Sequence, residues 1–193
     1  MYEVLASDGE AANGFVGALL ARIAGAHGAA LWCGRANHPY MPGLAAFGAD
    51  PNRLIFARTS TDIETLWAME EGLRCPALTV VVGALTSLNL TEGRRLQLAA
   101  ERHGVTAVVL HRTYRAQESN PAPGAAATRW NISPLPGASG DLHRTRWRVE
   151  RLRCRGAMPG EFTMEWSHAT GDLAVAAKAC DGLGAAAQPD AAD

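Results

Sequence analysis

The stretch that decides the fold runs from residue 61 to residue 85 and reads TDIETLWAMEEGLRCPALTVVVGAL. Its first half has the spacing of an amphipathic helix, with Thr61 in the N-cap position. The side chains predicted to be buried are those of Ile63, Leu66, Trp67 and Leu73. Its second half is apolar on both faces, which is typical of a strand in the middle of a parallel sheet. A helix leading directly into such a strand indicates a βαβ crossover.

Strands and helices alternate on both sides of this stretch. Helices are predicted at residues 11–26 and 88–102, and a helical turn at 44–47. Short apolar runs predict strands at residues 2–6, 29–33, 54–57, 78–85 and 105–111. We therefore expect the fold class to be α/β, with a mostly parallel central sheet.

The pattern changes after residues 112–127, a polar stretch that we interpret as a mobile loop. Short strands with alternating apolar residues follow, as expected for antiparallel pairing, and a bulge near Glu150-Arg151 would keep their register. They are predicted at residues 128–133, 145–155, 162–166 and 173–176. The expected organisation is a single domain over residues 1–181, comprising a βαβ core at 2–111, that loop, an antiparallel β extension at 128–181, and then a disordered tail at 182–193.

Composition excludes several classes of protein. The 193 residues carry a formal net charge of −1, so no global field draws the chain onto nucleic acid. The four cysteines form no C-x-x-C pair, and we expect small, buried, reduced thiols rather than disulfides or a zinc site. No apolar run approaches the roughly 20 residues of a membrane span, and the N-terminus lacks a basic signal region. We expect a cytoplasmic protein.

The first strand, loop and helix stand where a phosphate-binding loop would lie, whose pattern is G-x-x-x-x-G-K-[ST]. The residues that would form this loop are Ser7, Asp8, Gly9, Gly14, Phe15 and Val16. Gly9 and Gly14 keep the outer glycine spacing, but Phe15 replaces the lysine and Val16 replaces the hydroxyl residue. The Asp8 carboxylate would also repel a phosphate. We therefore predict a degenerate nucleotide site.

The second missing element is a metal ligand. Nucleotide-hydrolysing α/β proteins hold Mg²⁺ with an acidic residue near the end of a buried strand, and Gly83 follows the run Val80-Val81-Val82 here. Glu70 and Glu71 point in different directions on a helix and make a poor acid–base pair, while Glu70 can pair with Arg74. The histidines lack ligand spacing. The sequence thus predicts no enzymatic activity, no metal and no cofactor.

One positive feature is a series of arginines in or beside a strand that also carries Trp147. A basic stripe of this kind can contact an acidic partner or, weakly, DNA; its other explanation is a solvated strand face. Trp130, Trp147 and Trp166 alternate with apolar residues, which favours positions in the core. The candidate contact residues are Arg144, Arg146, Arg148, Arg153 and Arg155. With the bulge in place, all of these except Arg144 could share the solvent face.

Two sequence blocks are specific enough to compare with known families: W-A-M-E-E-x-L-R-C at residues 67–75 and R-R-L-Q-L-A-A-E at 94–101. They are similar to the ImuA family, RecA-like accessory proteins of the bacterial damage-inducible mutagenesis cassette. Further blocks lie at residues 41–55, 90–93, 127–130 and 152–156, and the resemblance covers about residues 2–178. It implies a RecA-like P-loop NTPase fold whose phosphate-binding loop no longer works.

The resemblance also implies a role in translesion DNA synthesis, with ImuB, RecA and an error-prone C-family DNA polymerase as partners. Family members usually carry a helical segment before the first strand, so a truncated or short variant is expected, and its oligomeric state stays open. Two alternatives remain at this point: a DNA-dependent ATPase with an atypical site, and a cell-division inhibitor similar to SulA, which is also RecA-like without a phosphate loop.

Overall fold

A computed structural model describes residues 1–6, 8–25, 27–35, 39–112, 125–137 and 143–178. Ser7, the greater part of the predicted mobile loop and the predicted tail lie outside the described residues. In chain order the elements are β1 (Tyr2–Ala6), α1 (Gly9–Ala24), β2 (Ala29–Gly34), α2 (Met41–Ala46), a 3-10 turn (Pro51–Arg53), β3 (Leu54–Arg58), α3 (Asp62–Leu73), β4 (Leu78–Leu85), α4 (Leu90–His103), β5 (Thr106–His111), β6 (Thr128–Leu135), β7 (Arg144–Cys154), β8 (Gly160–Ser167) and β9 (Asp172–Lys178).

All the strands join one nine-stranded sheet in the order β3-β2-β4-β5-β1-β6-β7-β8-β9. The six strands from β3 to β6 are parallel to their neighbours, and β6 to β9 pair antiparallel. The predicted α/β class with a mostly parallel core and an antiparallel extension is therefore confirmed. One detail is corrected: β6 belongs to both parts, because it pairs parallel with β1 and antiparallel with β7.

Each face of the sheet has its own apolar core. Helices α1 and α2 cover one face, where Phe15, Trp32 and Trp147 are buried, and α3 and α4 cover the other, where Met69 and Leu96 are buried. The antiparallel strands contribute Trp147 and Trp166 to the first core, as predicted for these tryptophans. Trp130 is half-buried and stacks on Tyr2, with ring centroids 5.2 Å apart.

The organising helix was predicted correctly in position and in part in orientation. Thr61 caps α3 by accepting a hydrogen bond from the backbone N–H of Glu64. Leu66 and Leu73 are buried as predicted, but Ile63 and Trp67, also predicted to be buried, are each 61% exposed. The buried side is completed by Thr65, Met69 and Gly72. The helix rotates this way because Gly72 lets it approach the sheet closely: a Cβ there would lie 3.1 Å from Cγ2 of Val81.

One smaller prediction is also corrected. Glu70 pairs with Arg95 of α4, with 2.8 Å between Oε2 and Nη2, and not with Arg74, which pairs with Glu71. The bulge predicted near Glu150-Arg151 is confirmed and falls at Leu152, because Trp130 opposes Arg151 and Arg129 opposes Arg153.

The described cysteines differ in burial: Cys154 is half-buried, while Cys180 lies outside the described residues. Cys33 is buried as predicted, and burial raises the pKa of its thiol to about 12. Cys75 is exposed, contrary to the prediction that the cysteines are buried. Both are free thiols.

Candidate functional site

A cleft of about 730 Å³ opens at the carboxyl edge of the parallel strands, beside the start of α1. Its base is formed by residues near the ends of β2, β4 and β5, namely Trp32, Ala84 and Leu110. Aromatic side chains of Tyr40 and Phe47 line the α2 side. In open α/β sheets, ligands bind at this edge, so the cleft is the candidate functional site. Polar lining residues are Asp8, Glu10, Asn13, His111 and Arg112.

The segment between β1 and α1 is too short to be a phosphate-binding loop. β1 ends at Ala6 and α1 begins at Gly9, so Gly9 and Gly14, predicted to bound the loop, both lie within the helix. The described positions from Gly9 to Val16 are thus helical rather than a loop, and the degenerate nucleotide site stays a prediction. The reason for the helix is local, because Asp8 caps α1 by accepting hydrogen bonds from the N–H groups of Glu10 (2.9 Å) and Ala11 (3.4 Å).

This cap has a direct consequence for anion binding. Free N–H groups at a helix N-terminus form a natural phosphate site, because they point at the ligand and the helix dipole favours negative charge. The Asp8 carboxylate already accepts from two of these groups and brings its own negative charge to the same place. A phosphate at this position would displace a bonded carboxylate and meet its charge.

The residues at the lysine and hydroxyl positions face the core. Phe15 and Val16 are buried, and the Phe15 ring makes edge contacts with Trp130 at 6.0 Å and with Trp147 at 5.7 Å. Gly14 faces the rim of the cleft, where a Cβ would lie 2.9 Å from Cε2 of Phe47. An ammonium or hydroxyl at position 15 or 16 would therefore lie among aromatic rings rather than in the cleft.

Gly83 has a packing explanation. It lies inside β4, opposite Cys33 of β2 and Val109 of β5, and the strand continues for two more residues. A Cβ at position 83 would overlap Sδ of Met69 in α3. An acidic side chain there would point at α3 and away from the cleft, to which β4 contributes Ala84. Close packing of α3 is thus a separate reason for a glycine here, and the interpretation of Gly83 as a lost strand-end acid stays a prediction.

Sequence reasoning missed a buried ion pair beside the cleft. Glu3 of β1 is 1% exposed, and its Oε2 accepts from Nε of Arg129 in β6 at 2.7 Å. Nε2 of His111, a cleft residue, lies 3.8 Å from the same oxygen. Burial opposes ionisation of Glu3, but His111 and the Arg129 charge together hold its pKa below the usual value. The only sequence signal was a charged residue at an inward position of each strand.

The arginines of the predicted stripe share a face, as the bulged register required. Their strand pairing places Arg146, Arg148 and Arg153 on the face of the sheet opposite Trp147. Arg155 follows the strand, and its Nη1 lies 4.0 Å from Glu101 of α4 on that same side. Sequence reasoning thus grouped these side chains correctly, although it did not predict their partners.

Carboxylates of the neighbouring strand and helix neutralise much of that stripe. Arg144 and Arg146 both bond Glu165, and the pKa of Glu165 is lowered by these hydrogen bonds, with Arg146 the stronger influence. Nε of Arg148 lies 3.1 Å from Oε1 of Glu161. Such a lattice of exposed and half-buried ion pairs is typical of a solvated strand face and leaves little net positive charge for a phosphate backbone.

In the part of the chain that the structure describes, no group of side chains is arranged to hold a metal ion: no three His, Cys, Asp or Glu side chains are grouped there in that way. In those same ranges, none of the helices has the length and hydropathy needed to cross a bilayer. Fold and cleft together define an α/β protein with a mostly parallel core sheet, an antiparallel extension and a crevice at the carboxyl edge.

Comparison with known proteins assigns the family. The chain is similar to Protein ImuA of two strains of Caulobacter vibrioides, with 37% identity over 147 residues in each case. The match covers 72% of this chain and 60% of each relative, so the chain spans less than two thirds of the relatives' length. No family model matches. Over the matched region, the chain belongs to the ImuA family.

Proposed function

We propose that this protein is a non-catalytic accessory component of damage-induced (SOS) mutagenesis and translesion DNA synthesis. Its family membership supports the cellular process. The sheet supports a RecA-like fold, because β1 lies inside a mostly parallel sheet and leads into a helix at the edge of a cleft. In this proposal the fold is retained for its shape and its surfaces, and the protein acts by binding other proteins.

The observation that carries the non-catalytic assignment is the junction between β1 and α1. Phosphoryl transfer depends on positioning the phosphates and on neutralising their charge. Here the Asp8 carboxylate occupies the N–H groups of the first helical turn, while Phe15 and Val16 are buried in the core. Among the described residues of this junction, no side chain takes the place of the phosphate-binding lysine.

The proposed partners follow from the family resemblance. They are ImuB, RecA and the error-prone C-family DNA polymerase, with the protein cytoplasmic and associated with the nucleoid when it acts at damage. The sequence pattern indicated the β7 face, with the ion-paired Arg146 and Arg148, as the surface for such a contact. Its neutralisation by glutamates favours a protein partner there over DNA.

Nucleotide titration tests the non-catalytic assignment. We expect no binding of a fluorescent ATP analogue at micromolar protein concentrations, and no phosphate release with or without single-stranded DNA. A RecA protein in the same assay provides the positive control. Clear micromolar binding together with DNA-stimulated hydrolysis would establish the alternative, a DNA-dependent ATPase with an atypical site.

A genetic experiment tests the cellular role. Deleting the gene is expected to reduce ultraviolet-induced mutation frequency without abolishing growth, and the intact gene is expected to restore it. The matched variant of the intact gene carries Asp8→Asn, and it is expected to restore induced mutation equally well. Asparagine also caps helices, and a nucleotide-independent role does not need the carboxylate charge. An induced mutation frequency that is the same in the deletion strain and its parent would refute the proposed role.

A further inference from the structure

The outer surface of α3 and α4 exposes large apolar side chains. Ile63 and Trp67 lie one turn apart on α3 and are each 61% exposed, and Leu98 of α4 is 58% exposed. Single exposed apolar residues are ordinary, but several on two adjacent helices are typical of an interaction site. We call Ile63, Trp67, Arg94, Leu98 and Arg102 the helix face.

An ion pair joins the two helices into one surface. Both helices pack on the same face of the sheet, and Nη2 of Arg95 lies 2.8 Å from Oε2 of Glu70 across their seam. Trp67 lies three residues before Glu70, and Leu98 lies three residues after Arg95. Residues three apart are neighbours on a helix surface, so both apolar side chains flank this bridge.

The helix face is also positively charged, without the neutralisation seen on β7. Arg94, Leu98 and Arg102 follow one another at intervals of four residues and form a stripe along the exposed side of α4. Among the described residues, no side-chain hydrogen bond or ion pair involves Arg94 or Arg102. These guanidinium groups are therefore available to an outside carboxylate or phosphate.

The most specific blocks of the family resemblance coincide with these helices. W-A-M-E-E-x-L-R-C begins at Trp67, and R-R-L-Q-L-A-A-E begins at Arg94. Core packing accounts for Met69, Leu73 and Leu96 within the blocks. It does not account for an exposed tryptophan or for an unpaired arginine, so the surface itself requires an explanation.

We propose that the helix face docks an acidic amphipathic helix of a partner protein. Apolar side chains of that helix would cover Ile63, Trp67 and Leu98, and its carboxylates would pair with Arg94 and Arg102. Because Glu64 and Glu71 flank Trp67 on α3, the carboxylates of the partner helix would lie over α4, beside Arg94 and Arg102. A nucleic acid is the competing occupant, and the oligonucleotide probe below tests it. The proposal rests on the adaptor role and specifies its docking surface.

A peptide-binding experiment tests the proposal with the full chain. The probe is a designed, fluorescein-labelled amphipathic helix of about 18 residues, with Leu on one face and Glu on the other. The comparison probes are the same peptide with Lys for Glu, and a single-stranded oligonucleotide. Fluorescence anisotropy is expected to show binding of the acidic peptide only, weakening as salt is raised.

Variants identify the surface. Arg94→Gln with Arg102→Gln, and Trp67→Ala separately, are each expected to weaken binding about tenfold or more. The matched control is Arg146→Gln with Arg148→Gln, which removes the same charge from the β7 face and is expected to leave binding unchanged. Unaltered melting temperatures verify the fold. The proposal is overturned if the acidic peptide does not bind, if the control pair weakens binding equally, or if the basic peptide or the oligonucleotide binds better.

The docking surface and the cellular role fail in different ways. A chain that binds the acidic peptide through the helix face, but whose deletion leaves induced mutation unchanged, keeps the surface and refutes the proposed function. A chain that fails to bind, but whose deletion lowers induced mutation, refutes the surface alone.

Discussion

Met69 of α3 occupies the space that a side chain at position 83 of β4 would require. We predict that Gly83→Ala lowers the free energy of unfolding by about 1–3 kcal/mol through overpacking. Gly83→Asp is expected to destabilise further, because it also buries a charge that has no partner there. Thermal or urea denaturation measures both changes.

A double-mutant cycle supplies the control for Gly83. Met69→Ala opens space at the contact, so Gly83→Ala should be much less harmful in that background. Strict additivity of the two changes would contradict the packing explanation. Gain of Mg²⁺ binding by a stable Gly83→Asp variant would restore the interpretation of a lost metal ligand.

The buried pair of Glu3 and Arg129 makes a second prediction at the residue scale. Glu3→Gln removes the carboxylate that pairs with the buried Arg129, and we expect a loss of about 3–5 kcal/mol in unfolding free energy. Chemical denaturation at neutral pH measures this loss. Leucine would be a poor control, since it removes the hydrogen-bonding groups as well as the charge.

The pH dependence of this effect has a definite sign. The pKa of Glu3 is lower in the folded protein than its reference value of 4.5, so its ionised form stabilises the fold above that pH. As pH falls from 4.5 through the lower folded pKa, the advantage of the native protein over Glu3→Gln should shrink. A difference that stays constant below pH 4.5, or grows, would be inconsistent with the pair.

At the scale of elements, α3 buries Leu73 but leaves Trp67 largely exposed, although both were expected to face the core. Trp67→Ala is expected to change unfolding free energy by no more than about 0.5 kcal/mol, because the indole is largely in solvent. Leu73→Ala, in the same helix and fully buried, should remove about 2–5 kcal/mol. Urea titrations of the two variants give this contrast directly, and a larger loss for Trp67→Ala would contradict the observed orientation of α3.

Sequence pattern predicts where elements lie better than which way they face. The predicted bounds of β1, β4 and β8 agree with the structure to within about two residues, because apolar runs and turn residues mark them locally. Ile63 and Trp67 have helical spacing, yet α3 turns Thr65 and Gly72 to the sheet. Close approach between backbones decided this rotation, and hydrophobicity alone does not encode it.

At the candidate site, too, features that are local in sequence were predicted better than contacts between distant residues. The absence of a phosphate-binding lysine was evident from Phe15, because that pattern is local in sequence. The Asp8 cap is also local, but the pattern search placed Asp8 in a loop and thereby concealed its role at a helix terminus. Glu3 and Arg129 lie 126 residues apart in sequence and meet only because β1 and β6 are neighbours in the sheet.

At the scale of the whole molecule, the antiparallel strands complete the core beneath α1. Phe15 packs against Trp130 of β6 and Trp147 of β7, and Gly48 approaches Trp166 of β8.

A chain ending at residue 127 would leave that apolar surface in water. We predict that it loses near-ultraviolet circular dichroism and binds a hydrophobic dye. A chain ending at residue 178 is the control and should unfold cooperatively like the full protein; native-like unfolding of the shorter chain would show that the core is independent.

The position of β1 between β5 and β6 has a consequence for synthesis on the ribosome. β1 is translated before both of its neighbours, which begin at residues 106 and 128. At about 5–20 residues per second, the first strand waits several seconds or longer for its partners. During that interval Glu3 has no counter-ion and the apolar residues of β1 have no sheet to join. The apolar segment of β1 thus stays exposed until β5 and β6 emerge, and chaperone contact with it is expected to be greatest before β6 emerges.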